Sequence, residues 1–315
     1  MSSLISVNNL TRRYGDFCAV NNISFQLAAG DILGFLGPNG AGKSSTMQML
    51  AGNLAPTLGE ISINGVDLLD NPKAAKASLG YLPENPPLYK EMTVDEYLQF
   101  CGRLHHLKKS ALTKACDSAI ERCGLGSVRR RLICNLSKGY QQRVGIAQAI
   151  LHSPAVIILD EPTVGLDPIQ ILEIRDLIIS LGELQGIILC THILPEVQAV
   201  CNRVQIINQG NIVYSASMDD MLSKRSTNYE ITLTENVGVE KLGTHHAFKS
   251  IDMIDDFNFT AESDLTADKL SEYIVQQGWG LTRFAPQQTS LEQIFIDLTT
   301  TDLNTTDNSK VDEAV

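Results

Sequence analysis

The sequence predicts an α/β fold built on a largely parallel sheet, followed by a second, smaller domain. Three observations carry this. Short apolar runs bounded by glycine or proline alternate with stretches of helical period. One glycine-rich turn between such a run and such a stretch has the spacing of a phosphate-binding loop. At 315 residues the chain exceeds one typical domain of about 100 to 200 residues and can bury a full core.

The elements follow in order. "ILGFL" at 32–36 reads as a strand and "KSSTMQMLAG" at 43–52 as the helix after it. In "TVDEYLQFCGRL", Thr93 and Glu96 have the spacing of a capping box, which places a helix start there. "LSKGYQQRV" at 136–144 puts Ser137 and Gly139 at another helix start, either as a local N-cap or as a cradle for a phosphate from elsewhere. "AVIILD" at 155–160 precedes the helix "PIQILEIRDLIISLG", and "GIILC" at 186–190 precedes "LPEVQAVC". "NQGN" at 208–211 reads as a hairpin turn between "VQII" and "IVYSA". After about residue 228 the pattern shifts to a small mixed domain over 229–300, containing "YEITLTE", "TADKLSEYIVQQG" and "SLEQIFIDLT". Residues 301–315 are polar and periodless, and disorder is expected there.

Composition narrows the class. Hydrophobic residues at 43% and charged residues at 19% fit a soluble globular protein. The longest apolar runs fall far short of the roughly 18 residues of a membrane span. The N-terminus has no charged leader followed by an apolar core, so a cytoplasmic location is expected. Seven cysteines, odd in number and without C-x-x-C spacing, suggest reduced thiols in place of a disulfide framework or a zinc site. The net charge of −11 lies wholly in the last segment: residues 1–229 carry 20 acidic and 20 basic side chains, residues 230–315 carry 16 and 5. Such an appendage repels phosphate backbones, so no nucleic-acid partner is expected. The basic run Arg129, Arg130, Arg131 reads as solvated surface.

The chemistry is concentrated in two segments. "GPNGAGKS" at 37–44 matches G-x-x-x-x-G-K-[ST] between an apolar strand and a helix, the context that motif requires. Gly37, Gly40 and Gly42 let backbone amides turn toward phosphate oxygens, Lys43 reaches the β- and γ-phosphates, and Ser44 can ligate Mg²⁺. Pro38, Asn39 and Ala41 complete the loop, and Ser45 follows it as a further binding candidate. "VIILDEP" at 156–162 ends a strand with two carboxylates. Asp160 falls at the carboxyl edge of the sheet, where it suits Mg²⁺ through water, and Glu161 is suited to act as general base on the attacking water.

Together these residues resemble the ATP-binding subunits of ABC transporters. Six motifs stand in family order over about residues 4–220: the phosphate loop, "GYLPE" at 80–84, "LSKGYQQR" at 136–143, "LDEP" at 159–162, "GLDP" at 165–168, and His192 in "CTHI". The resemblance implies a P-loop NTPase fold of the ABC ATPase type, with a mostly parallel core, an antiparallel β-subdomain and a helical subdomain at about 85–150. It implies ATP and Mg²⁺ as ligands, Tyr14 as the aromatic beneath adenine, His192 as the switch histidine at the γ-phosphate, and Asp167 as the loop aspartate that couples two sites of a dimer. Under it, Ser137 and Gly139 hold the γ-phosphate of ATP bound to the opposite subunit.

Two departures from the family pattern stand out. Its loop glutamine is Glu84 here, which can still meet Mg²⁺ but adds charge. Its Leu-Ser-Gly-Gly-Gln signature is "LSKGY", with Lys138 and Tyr140 substituted. "GYLPENPPLYKEMTVDEYL" and the ending "SLEQIFIDLT" resemble ATPases paired with ABC-2-type export permeases, the gliding-motility and multidrug-export-like group. The expected function is therefore an ATP-hydrolysing subunit, dimeric around two ATP molecules, that powers export from the inner face of the cell membrane. The competing class is a soluble ABC-type ATPase acting on a ribosomal or DNA partner. Against it stand the single phosphate loop and the short spacing between Lys43 and Ser137, which leaves no room for a long coiled coil.

Overall fold

The computed structural model describes residues 3–223, 228–238, 242, 245–286 and 291–300. The polar stretch 301–315 lies outside the described residues. The chain divides into two compact units, Met1–Met218 together with the segment from Phe295, and Asp219–Ile294.

The first unit opens with β1 (Ser3–Tyr14) and β2 (Phe17–Ala28), an antiparallel hairpin whose alternation of buried and exposed positions is interrupted by register shifts. With β4 (Leu58–Ile63) and β5 (Val66–Asp67) they form a four-stranded sheet in the order β2-β1-β4-β5. The central sheet contains β3 (Ile32–Leu36), β6 (Leu79–Leu82), β7 (Val156–Asp160), β8 (Gly186–Thr191), β9 (Arg203–Asn208) and β10 (Asn211–Ser217), in the order β10-β9-β3-β8-β7-β6. From β9 to β6 every pairing is parallel, and β10 closes the edge antiparallel. β3, β7 and β8 are buried at every position, as expected of parallel strands covered on both faces. The β9–β10 turn places Gln209 at φ 46° and Gly210 at φ 79°, the two left-handed residues of a tight hairpin.

One core joins the two sheets: Ile5, Leu10, Ile23 and Leu27 pack with Phe35 of β3, Ile158 of β7, Ile188 of β8 and Met47 and Leu50 of the helix after the phosphate loop. Helix α1 (Lys43–Leu50) follows β3, α2 (Pro72–Ala77) precedes β6, and α3 (Val94–Leu104), α4 (Lys109–Arg122) and α5 (Lys138–Ile150) pack on one another. The Thr93–Glu96 capping box forms as read, with Thr93 N–H donating to Glu96 Oε2 at 2.8 Å and Glu96 N–H to Thr93 Oγ1 at 3.3 Å. The basic run is not uniformly solvated. Arg130 and Arg131 are exposed, but Arg129 is half-buried and bonds Asp95 of α3 at 2.6 Å and Asp117 of α4 at 2.7 Å. A guanidinium reaches two carboxylates that lie far apart in sequence, so composition alone could not reveal this clasp.

The second unit has its own core. β11 (Asn228–Leu233), β12 (Ser250–Met253), β13 (Asn258–Glu262) and β14 (Leu281–Pro286) form an antiparallel sheet in the order β12-β13-β11-β14. The helix Ala267–Gln276 buries Leu270 and Ile274, one turn apart, with Tyr229, Ile231, Phe259 and Trp279. Trp279 is 4% exposed and meets His245 and Tyr273 edge-on.

Candidate functional site

Buried β3 ends at Leu36, and the chain leaves the sheet directly into Gly37. A Cβ at Gly37 would strike the Ile207 carbonyl oxygen, and one at Gly42 would strike that of Ala19. Gly42 also holds φ 105°, a conformation L side chains rarely adopt, and it is the N-cap of α1 (Lys43–Leu50). No side chain caps α1 and no acidic residue stands in its first turn, so its amide dipoles are left for an anion. Lys43 is 6% exposed, yet its ammonium donates only to the neutral carbonyl oxygens of Gly37 at 2.8 Å and Pro38 at 3.1 Å among the described residues. A buried cation held only by neutral acceptors, beside an uncapped helix start, fits a phosphate group.

Opposite it, Asp160 is the last residue of β7 and is 5% exposed. Burial raises its carboxyl above the ordinary range; the Glu161 and Glu84 carboxylates push the same way, against a hydrogen bond with Cys190 and the charge of Lys43. Three carboxylates and the Ser44 hydroxyl are the hard oxygen donors Mg²⁺ prefers. Among the described residues no cluster of three or more His, Cys, Asp or Glu side chains forms a metal cage. Mg²⁺ needs none, since it keeps waters and substrate phosphates and takes one or two carboxylates from the protein.

Glu161 adopts φ 49°, its N–H donating to the Cys190 carbonyl at 2.9 Å. This left-handed turn brings its carboxylate against the residue that follows β8: Glu161 Oε1 accepts from His192 Nδ1 at 2.9 Å. With Nδ1 donating to Glu161, the ring can bond an anionic ligand oxygen only through a protonated Nε2, that is, as the imidazolium.

A cleft of about 390 Å³ gathers most of the expected residues. Tyr14, Asn39, Gly40, Gly42, Lys43, Ser44, Ser45, Glu84, Glu161 and His192 line it, while Gly37, Pro38, Ala41 and Asp160 do not. Tyr14 is 45% exposed, with the Arg12 guanidinium 4.5 Å from its ring centre. Phe17, Ala19 and Val164 also line the cleft and were not anticipated. Phe17 pairs with Tyr14 across the two-residue turn at Gly15 and Asp16, so "YGDF" carried the signal: a turn dipeptide between two aromatics.

Ser137, Gly139 and Asp167 lie outside this cleft. Ser137 is the N-cap of α5 and accepts the Tyr140 N–H at 3.4 Å. Asp167 caps α6 (Pro168–Gly182), accepting the N–H groups of Ile169 at 3.1 Å and Gln170 at 3.0 Å. The two helix starts adjoin, because a Cβ on buried Gly139 would press on the Gln170 side chain and one on Gly165 would press on the Lys138 ammonium.

A family model described as ABC transporter matches residues 20–164. The bacitracin transport ATP-binding protein BcrA of Bacillus licheniformis is 35% identical over 303 residues, covering 95% of this chain and 98% of that protein. The chain belongs to the ABC transporter ATP-binding protein family. This ABC ATPase is also 32% identical over 302 residues to YxlF of Bacillus subtilis strain 168, an uncharacterized ABC transporter ATP-binding protein, covering 93% of this chain and 98% of YxlF. Among solved structures, an ATP binding subunit of an ABC transporter superposes with a TM-score of 0.63 at 30% identity, over 70% of this chain and 92% of that one. CbiO1 of Clostridium perfringens gives 0.65 at 27% identity, over 71% and 92%. The fold is thus that of the ABC ATPases, and the enzyme is an ATPase of that class. No helix among the described residues is long and apolar enough to cross a membrane.

Proposed function

We propose that the chain is the motor subunit of an exporter: two copies close around two MgATP molecules and drive an ABC-2-type permease from the cytoplasmic face of the membrane. The observation that carries this is the division of the site. One cleft holds Tyr14, the phosphate loop, Glu84, Glu161 and His192, while Ser137 and Gly139 stand at a separate helix start with amides to offer a second nucleotide. The name of BcrA, which speaks of bacitracin transport, supports a transporter reading, as does that of the probable multidrug ABC transporter ATP-binding protein YbhF of Escherichia coli K12.

In this reading Tyr14 and Phe17 flank adenine, and the loop amides with the start of α1 receive the phosphates. Lys43 trades its two carbonyl acceptors for β- and γ-phosphate oxygens. Ser44, Asp160 and Glu84 would hold Mg²⁺, which would supply charge neutralisation on the phosphates. Glu161 takes a proton from the attacking water as oxygen bonds to the γ-phosphorus and the bond to the β-phosphate oxygen breaks. His192, oriented through Nδ1 by Glu161, donates as imidazolium from Nε2–H to an oxygen of the transferring group. Ser137 and Gly139 of the opposing copy complete the γ-phosphate shell, and Asp167 links the two composite sites.

Lys43→Ala is expected to weaken MgATP binding roughly 10- to 150-fold, the loss of a charge-assisted hydrogen bond of about 1.5 to 3 kcal/mol, as read by titration calorimetry. The partner is tested by purifying the tagged full-length chain from detergent-solubilised membranes. A co-purifying multi-span membrane protein is expected. Ribosomal subunits in its place would overturn the exporter reading.

A further inference from the structure

Behind the cleft, hydroxyl groups join an unassigned carboxylate to the two residues that carry the chemistry. Glu196 lies on α7 (Leu194–Val200) and is 1% exposed. Its Oε1 accepts the Thr163 hydroxyl, and its Oε2 accepts the Thr191 hydroxyl at 3.2 Å. Thr163 stands two residues after Glu161 and Thr191 immediately before His192, and both are buried. The Thr191 oxygen also lies 3.4 Å from Glu161 Oε2 and accepts the Ile193 N–H at 3.0 Å. Burial raises the Glu196 carboxyl above its ordinary value, while its two hydroxyl bonds and the charge of Arg175 pull it back. Among the described residues Glu196 makes no ion pair within 4 Å, so its two hydroxyl bonds and the more distant charge of Arg175 offset the cost of burying it.

A threonine hydroxyl has one proton to give. Thr191 therefore donates either to Glu196 or to Glu161, and the shorter contact is to Glu196. We propose that Glu196 is a positioning residue for hydrolysis: it draws the Thr191 proton away from Glu161 and ties the chain after Glu161 to the chain before His192. The base then keeps an unengaged carboxylate oxygen, and the Glu161–His192 bond keeps its geometry. This inference rests on Glu161 acting as the base.

The test is steady-state MgATP hydrolysis by the full-length protein. In Glu196→Gln one of the two accepting oxygens becomes a donating amide, and with the amide facing Thr191 the Thr191 proton turns onto Glu161. The expected result is a kcat ~10- to 100-fold lower with KM unchanged, by analogy with the loss of a residue that orients a metal ligand. Thr191→Val is expected to lose rate as well, whereas Thr191→Ser retains it. Glu196→Gln combined with Thr191→Val should be no slower than the slower single variant, because both act through one hydroxyl. Wild-type kcat in Glu196→Gln, additive losses in the double variant, or a KM that rises in proportion to the fall in kcat would each overturn the proposal. Should Glu196→Gln fail to fold, the Thr191 pair carries the test, and equal rates in the valine and serine variants would overturn it. Glu161→Gln separates the two readings: turnover in that variant refutes the base itself, whereas an inactive Glu161→Gln beside a fully active Glu196→Gln refutes only the relay.

Discussion

Glu161→Gln is expected to slow MgATP hydrolysis roughly 100- to 10,000-fold while leaving nucleotide affinity within a small factor of the parent value. The substitution keeps the length and shape of the side chain and removes only the basic oxygen. The backbone at Glu161 stays where its N–H bond to the Cys190 carbonyl holds it, in a left-handed conformation that typically costs about 1 to 3 kcal/mol outside glycine. Surroundings that maintain such a strained turn place the carboxylate beside His192, and the amide should occupy the same place. Phosphate release gives the rate and titration calorimetry the affinity. Unchanged turnover would remove Glu161 from the base role, and a collapse of affinity would make it a binding residue.

The second large effect concerns the helix start at Ser137. If its amides serve only the local cap, substitutions there should cost about 0.5 to 2 kcal/mol of stability and leave ATP-driven association alone. If they meet the ATP of another copy, the effect appears in trans. Gly139→Asp sets a negative charge against that γ-phosphate and is expected to abolish the ATP-dependent dimer in the Glu161→Gln background while monomer binding of ATP persists. Any side chain at this buried glycine presses on Gln170, so Gly139→Ala is the control: it makes the same displacement without the charge and should still dimerise. Size-exclusion light scattering reads the result. Mixing a Gly139→Asp chain with a Lys43→Ala chain should restore partial dimerisation, because one composite site then keeps an intact loop and an intact signature. ATP-driven dimers of Gly139→Asp alone would refute a shared site.

The parts of this molecule that were legible in sequence are those whose cause is local. β3 and its loop, β7 ending at Asp160 and Glu161, the capping box and the β9–β10 turn each follow from a run of a few residues whose apolar pattern or turn chemistry decides the backbone. The β1–β2 hairpin was harder to read because register shifts near Val7, Leu10 and Arg12 break its alternation. With it went Ala19, which β2 brings to the cleft. The Thr163–Glu196 contact spans 33 residues, and the Arg129–Asp95 contact spans 34. Neither partner's chemistry announces the other, since a threonine or an arginine in a polar stretch is ordinarily satisfied by water. The left-handed turn at Glu161 left no trace either, because glutamate is not a residue that marks such a conformation.

Trp279 sits in the core of the second unit and is the chain's single tryptophan. Its indole emission therefore reports on one small sheet and its helix and is not sited in the nucleotide cleft. Packed against His245 and Tyr273, it serves as a built-in optical label for the Asp219–Ile294 unit. A spectroscopist following intrinsic fluorescence would watch that unit come apart while the ATPase went unobserved. Far-ultraviolet dichroism, dominated by the helices of the larger unit, would follow the other event, and the distance between the two melting curves would measure how far the two units share their cooperativity.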